Sequence, residues 1–466
     1  MSSLQKIFKM YDIRGLTGVE MTTENVRAVG AAFVDELELA GKSVVVGHDM
    51  RDSSPGFVGA FIDGATSRGA DAINIGLCST DECYFASGHL NAASAMFTAS
   101  HNPSSYNGIK LSRAGARGIS MDTGLAKILE RAEKFLESGI EEVAEVGFSS
   151  EHDTLVEYAS YLRKLVDLSK IRPLKIVIDA ANGMGGLTAP AVLGTAAKLD
   201  ALPIEIIELY FKLDGSFPNH EANPLDPKNL VDLQRAVLEH GADAGLAFDG
   251  DADRCFVIDE KGHSITPSAV AAIVSLSEIA RAKARGEENI TVLHNLLTSR
   301  AVPEFIEAAG ATPVRTRVGH SLIKDNMAAT GAIFGGEHSA HYYFKDFFGA
   351  DNGMLAAMNV LFELGSQEKP LSEFAARFSP YFASGEINST VIDAKAKIEL
   401  IRAEFKGFEV DELDGITLSS LAGQSPWWWL NVRSSNTEPL LRLNVESNDL
   451  ETTNSLTQRV LGIIHN

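Results

Sequence analysis

Ser43-Val-Val-Val46 is a short apolar run of strand type, residues 54 to 68 follow with helical spacing, and Asp71-Ala-Ile-Asn-Ile-Gly76 is again strand-like. This alternation predicts an α/β unit. It restarts at Leu174-Lys-Ile-Val-Ile-Asp179, before Ala-Ala-Asn-Gly-Met-Gly-Gly186, and again at Asn289-Ile-Thr-Val-Leu-His294, before a helical segment from Ser299 to Ala309. A charged helix from about Gly124 to Gly139 and a polar stretch at 147 to 153 separate the first unit from the second. Residues 376 to 466 differ, with strand-like runs at Ala383 to Val391, Trp427 to Val432 and Leu440 to Val445 and a final helix from about Leu450 to Ile464. The expected fold class is α/β: three consecutive α/β domains, at 1–150, 151–258 and 259–375, then a C-terminal α+β domain at 376–466. No short-period repeat is present, so the recurrence is architectural.

The chain's 466 residues suit three or four domains. A hydrophobic fraction of 45%, a charged fraction of 22% and a mean hydropathy of +0.01 are those of an ordinary globular protein. The net charge of −21 and a pI near 5.0 oppose nucleic acid and anionic membrane surfaces. An anionic substrate must therefore meet local basic groups. Cys78, Cys83 and Cys255 form neither a disulfide framework nor a zinc spacing, which points to a reducing cytoplasm. The opening Met1 to Phe8 has no signal-peptide core, and no apolar run reaches the ~18 residues of a membrane span.

Asp249-Gly-Asp-Ala-Asp-Arg254 follows the apolar stretch Ala244 to Phe248, so three carboxylates crowd the exit of a buried strand. Such crowding needs a cation, and Mg²⁺ suits a site that also receives a phosphate oxygen. Arg254 adds a charge that faces anions. An exposed acidic turn is the bland alternative. A Ca²⁺ loop would place Gly after the third Asp and a Glu at its end, which this stretch does not.

Ser100, in Thr98-Ala-Ser-His-Asn-Pro103, lies where a small-residue run becomes a Pro-stopped loop. It is either a turn or N-cap residue or, beside a divalent metal, the carrier of a phosphoryl group. His101 is its sequence neighbour, which argues against triad geometry. Lys110, closing Ser-Ser-Tyr-Asn-Gly-Ile-Lys110, is either a solvated cation or a proton carrier tuned by burial and neighbouring charge. Gly336-Glu-His-Ser-Ala-His341 offers donors and acceptors for sugar hydroxyls, or is a plain polar loop. Arg433-Ser-Ser-Asn-Thr-Glu-Pro439 offers a guanidinium, hydroxyls and turn N–H groups to a phosphate, or is a hairpin turn. Trp427, Trp428 and Trp429 before it suit strand packing.

In this order, over nearly the whole chain, these stretches resemble the α-D-phosphohexomutase superfamily, most closely its bacterial phosphomannomutase/phosphoglucomutase branch. The resemblance extends to Tyr11-Asp-Ile-Arg-Gly15. It implies mixed sheets around a central cleft, with the four domains bearing the phosphoserine, the metal, the sugar-reading loop and the phosphate grip in turn. It implies Ser100 as the phosphoserine and one Mg²⁺ per active site on Ser100, Asp249, Asp251 and Asp253. Arg14 and Lys110 are then the cations flanking the reacting phosphoryl group, with Lys110 the proton carrier and His101 beside the nucleophile. Tyr11, Arg254, His320, Glu337 and Ser339 are the substrate's neighbours, and Arg433, Ser435, Asn436 and Thr437 grip its non-reacting phosphate. The implied activity is interconversion of mannose 1-phosphate and mannose 6-phosphate, with glucose phosphates as further substrates and hexose 1,6-bisphosphate as intermediate and activator. A cytoplasmic monomer or homodimer with no nucleic-acid or membrane partner is expected. A glucose-first mutase and a Mg²⁺-dependent sugar phosphatase are the rival readings. In one place the chain departs from the pattern: Asn295-Leu-Leu297 stands where relatives carry a Lys.

Overall fold

The molecule is described as a computed structural model covering residues 3–434 and 440–466, apart from the side chains of Ser3 and of residues 320–322. The β-branched runs form the central strands of three sheets. The first sheet orders Ile13–Leu16, Tyr106–Arg113, Ala93–Phe97, Ser43–His48, Asp71–Leu77 and Ser149–Glu151, with Arg117–Gly118 paired onto Tyr106–Arg113. The second orders Ser264–Ile265, Cys255–Asp259, Ala244–Phe248, Leu174–Asp179 and Ile204–Leu209. The third orders Thr312–Thr316, Thr291–Asn295, Phe334–Gly336, Tyr342–Phe344 and Ala350–Asp351.

All three sheets share one device. A buried strand with a parallel neighbour on one side turns back and pairs antiparallel on the other: Ala93–Phe97 into Tyr106–Arg113, Ala244–Phe248 into Cys255–Asp259, and Phe334–Gly336 into Tyr342–Phe344. The three connecting loops are three of the four chemistry-bearing stretches of the sequence. Each begins at the carboxyl end of a parallel strand, where α/β sheets place their ligands. The buried strands read as near-continuous apolar runs because both faces are covered.

The C-terminal sheet is antiparallel, in the order Phe382–Ala383, Leu440–Ser447, Trp428–Ser434, Ile416–Ser419, Glu409–Asp411, with Ile387–Thr390 also paired to Leu440–Ser447. The expected run from Ala383 to Val391 is thus two short strands, broken where Gly385 turns the chain at φ +69°. The polar stretch at 147–153 is not merely a spacer: Ser149–Glu151 adds a parallel strand to Asp71–Leu77. Of the three Trp residues, Trp428 packs in the core. Trp427 instead meets the Tyr381 ring at 4.5 Å and the Arg300 guanidinium at 4.6 Å.

One hydrophobic core runs through the second and third units and takes in Met50, Tyr84 and Phe85 of the first. The C-terminal domain has its own core around Phe405, Leu418, Leu430 and Val445. Among the described residues no helix is long and apolar enough to cross a membrane.

Candidate active site

The loop after Ala93–Phe97 aims one hydroxyl. Thr98 Oγ1 accepts the Ser100 N–H at 2.8 Å, and Ser100 adopts φ +49°. A side chain pays for this left-handed conformation with strain, which only surrounding contacts can hold. The bend turns buried Ser100 toward the second unit, where Oγ donates to Asp249 Oδ2 at 2.9 Å. It also brings His101 Nδ1 to 3.3 Å from Oγ. Among the described residues no carboxylate bonds this ring, so no triad is formed. Burial, and then the charge of Arg254, hold His101 well below its ordinary pKa as a neutral imidazole.

Asp249, Asp251 and Asp253 are fully buried, and each offers an oxygen within 4.8 Å of the others. Arg254 folds back onto Asp249 Oδ2 through Nη2 at 2.6 Å and Nε at 2.9 Å, and Nη2 lies 3.2 Å from Ser100 Oγ. Lys110 Nζ sits 2.8 Å from Asp251 Oδ2 and 2.6 Å from Asp253 Oδ2. Burial alone would lower the Lys110 pKa; the two carboxylates outweigh it and hold the group well above its ordinary range. It is therefore held as an ammonium. The other oxygens, Asp251 Oδ1 and Asp253 Oδ1, are buried without a hydrogen-bond partner among the described residues. Orphaned carboxylate oxygens beside a third carboxylate and a hydroxyl fit a hard divalent cation. Gly250 allows the two loops to meet: a Cβ there would stand 2.5 Å from the Ser100 carbonyl oxygen.

Arg14 reaches the same loop, donating to Asn102 Oδ1 at 2.5 Å and pairing with Asp12. Tyr11 packs beneath the third unit, where a Cβ on Gly319 would lie 2.7 Å from its hydroxyl. Glu337 is buried and held by the Tyr343 hydroxyl at 2.8 Å, Asn295 Nδ2 at 3.2 Å and the Gly319 N–H at 3.3 Å. Ser339 is half-buried in the same loop. At the departure from the family pattern, Asn295 thus positions Glu337, while Leu297 is buried. Arg433 is buried and bonds Glu386 at 2.9 Å, which also takes Arg442 at 3.2 Å. Ser435, Asn436, Thr437 and the His320 side chain lie outside the described residues.

Sequence reasoning missed four residues around the carboxylates. Thr80 Oγ1 donates to Asp251 Oδ2 at 2.6 Å. His341 Nδ1 meets Asp351 Oδ2 at 3.1 Å, and both present ligand atoms close to Asp253. Lys324 pairs with Asp351 at 2.9 Å and lies 3.7 Å above the Tyr84 ring. His341 was visible within its motif, whereas the others come from distant segments that carry no local signature.

A strained hydroxyl facing a cation-demanding carboxylate cluster, on a chain of three α/β units and a C-terminal antiparallel sheet, is the equipment of a phosphohexomutase, an enzyme that moves phosphate within a hexose. Models of the four phosphoglucomutase/phosphomannomutase domains, three α/β/α and one C-terminal, match residues 5–137, 156–262, 267–381 and 386–463 in turn. The chain is 40% identical over 465 residues to a protein named for phosphohexose mutases from Xanthomonas campestris pv. campestris, covering 98% of each. It is 38% identical over 465 residues to a phosphomannomutase of Salmonella typhimurium, again with 98% of each chain covered. A crystal structure of a phosphoglucomutase/phosphomannomutase family protein from Burkholderia thailandensis superposes with a TM-score of 0.84 at 30% identity, over 98% of this chain and 97% of that one. The chain belongs to the phosphoglucomutase/phosphomannomutase family.

Proposed function

We propose that the enzyme is a phosphomannomutase, interconverting mannose 1-phosphate and mannose 6-phosphate through phospho-Ser100 and a hexose 1,6-bisphosphate, with glucose phosphates as further substrates. The observation that carries this reading is the Ser100 hydroxyl held 2.9 Å from Asp249 beside two buried carboxylates, each with an oxygen that has no hydrogen-bond partner among the described residues. Asp249, Asp251 and Asp253 would hold Mg²⁺ together with the seryl phosphate, and the ion supplies positive charge against the phosphoryl oxygens when bound.

The free hydroxyl of the hexose phosphate attacks the phosphorus of phospho-Ser100. The bond from Ser100 Oγ to phosphorus breaks and the new sugar–phosphate bond forms. Lys110 protonates the departing Oγ and recovers a proton from the sugar hydroxyl, so protons and phosphate both balance. Arg14 and Arg254 offset the charge spread over the transferring group. The bisphosphate then turns around and returns its other phosphoryl group to Ser100. Glu337 and Ser339 read the sugar hydroxyls, with Tyr11 and His320 beside the ring, and Arg433, Ser435, Asn436 and Thr437 hold whichever phosphate is idle. The similarity to phosphomannomutases supports mannose as the preferred sugar. The four units, divided near residues 150, 258 and 375, thus carry nucleophile, metal, sugar reading and phosphate grip, in a cytoplasmic monomer or homodimer.

A ³¹P NMR time course with Mg²⁺ and a trace of hexose 1,6-bisphosphate, given mannose 1-phosphate or glucose 1-phosphate in separate tubes, tests this. Conversion to the 6-phosphate at least as fast in the mannose tube is expected. A clear glucose preference would reassign the sugar, and release of inorganic phosphate alone would point to a phosphatase.

A further inference from the structure

Arg51 leaves the end of strand Ser43–His48 and is 2% exposed. A guanidinium has five N–H donors in one plane, and here all five are used. Nε donates to Asp49 Oδ2 at 3.1 Å, Nη1 to the carbonyls of Pro103 at 2.8 Å and Tyr106 at 3.0 Å, and Nη2 to those of Ser100 at 2.9 Å and Asn102 at 2.7 Å. Asp49 is itself fixed, its Oδ1 accepting the Arg51 N–H at 3.1 Å and the Ser54 hydroxyl at 2.9 Å. From the second unit, the Phe217 ring lies 5.2 Å from the guanidinium carbon, and Gly215 approaches so closely that a Cβ would stand 2.7 Å from Arg51 Cα.

The four accepting carbonyls all belong to the segment that carries Ser100. A loop bent through φ +49° turns several carbonyls inward, and buried carbonyls without donors are costly. The guanidinium meets four of them from one point, and only while the bend is kept; the Pro103 carbonyl accepts the Tyr106 N–H at 3.0 Å as well. We infer that Arg51 is the positioning residue of the nucleophile: it locks the 100–106 loop in the conformation that sets Ser100 Oγ against Asp249, and so governs the rate of phosphoryl transfer without touching substrate. This deepens the reading of Ser100 as phosphoryl carrier and rests on it. Lysine cannot replace Arg51, because one ammonium has three donors on a single atom and cannot span four carbonyls.

The test is steady-state and single-turnover kinetics of Arg51→Lys, Arg51→Ala and Phe217→Ala beside Ser100→Ala, with circular dichroism to confirm folding. Misplacing a reacting atom by ~1 Å costs about 100-fold. Arg51→Lys should therefore lower kcat by about that factor and slow phosphorylation of Ser100 by hexose 1,6-bisphosphate in parallel. KM for hexose phosphate should stay within about twofold, since Glu337 and Arg433 lie on other units. Free guanidinium should restore part of kcat to Arg51→Ala and leave KM alone, which a purely structural role would not produce. Phe217→Ala keeps every hydrogen bond and should lower kcat several-fold, so the inference stays testable if Arg51→Ala does not fold. Wild-type kcat in Arg51→Lys, with Ser100→Ala inert, would overturn the role of Arg51 alone. Normal turnover by Ser100→Ala would remove the reading beneath it as well.

Discussion

Lys110 Nζ lies 2.6 Å from Asp253 Oδ2, a buried ammonium on a carboxylate whose other oxygen has no hydrogen-bond partner among the described residues and only the Arg254 Nε at 3.9 Å. A divalent ion drawn to Asp251 and Asp253 shares them with this ammonium, and the two positive charges repel. Lys110→Met should bind Mg²⁺ more tightly, by about tenfold or ~1.4 kcal/mol, while turnover falls at least ~100-fold. Isothermal titration with Mg²⁺ reads the first effect. Unchanged or weaker binding would show that Lys110 and the ion do not share the cluster.

Gly250 stands at the closest approach of the metal loop to the nucleophile loop. Gly250→Ala puts a methyl group 2.5 Å from the Ser100 carbonyl oxygen, which backbone cannot yield cheaply. The two loops must part, and kcat should fall ~100-fold with only a modest loss of thermal stability. Near-normal kcat would mean that the 2.9 Å contact between Ser100 and Asp249 is not needed for transfer.

Arg433 is buried against Glu386 at the mouth of the C-terminal loop. A cation already paired to a carboxylate can exchange it for a doubly charged phosphate. Arg433→Ala should raise KM for hexose phosphate by about tenfold or more and change kcat less. An unaltered KM would remove Arg433 from the phosphate grip.

Stability should depend on pH through Asp81, buried at the junction of the first and second units and bonded to the Tyr158 hydroxyl at 2.7 Å. Burial first, with Asp253 adding to it, pushes its pKa up to about 7, against the opposing hydrogen bonds from Ser79 and Tyr158. The folded state therefore keeps a proton that the unfolded chain releases near pH 4. Between about pH 4 and 7 the native state binds more protons, so stability falls as pH rises through that window, by on the order of 3–4 kcal/mol from this group. Thermal melts in EDTA should show Tm dropping from pH 5 to pH 8 and a shallower drop in Asp81→Asn. The same slope in both would exclude Asp81 as the source.

The sequence made the three loops legible because each packs its chemistry into a few consecutive residues after an apolar strand. Asp249 to Arg254 could be read as a cation site without any fold. The periodicity also gave the α/β recurrence, since strands buried on both faces are continuous apolar runs. The strands Ile416–Ser419 and Glu409–Asp411 escaped notice: both are short, and Glu409–Asp411, at the sheet edge, is largely exposed and polar. Thr80, Lys324, Asp351 and Arg51 escaped for another reason. Their partners lie far away in the chain, on strands that only the sheet order brings together. Lys110 looked like a candidate for either surface or site, and only the closure of the second unit over the first decides for burial.

The central claim is that phosphate passes through Ser100. The most direct measurement is peptide mass spectrometry of the wild type and Ser100→Ala after incubation with Mg²⁺ and hexose 1,6-bisphosphate, followed by a chase with unlabelled mannose 6-phosphate. One phosphoryl group is expected on the Ser100 peptide of the wild type, discharged by the chase into a hexose bisphosphate, and none on Ser100→Ala. A wild-type enzyme that turns over while Ser100 stays unmodified, or a phosphoserine that the chase cannot discharge, would contradict it.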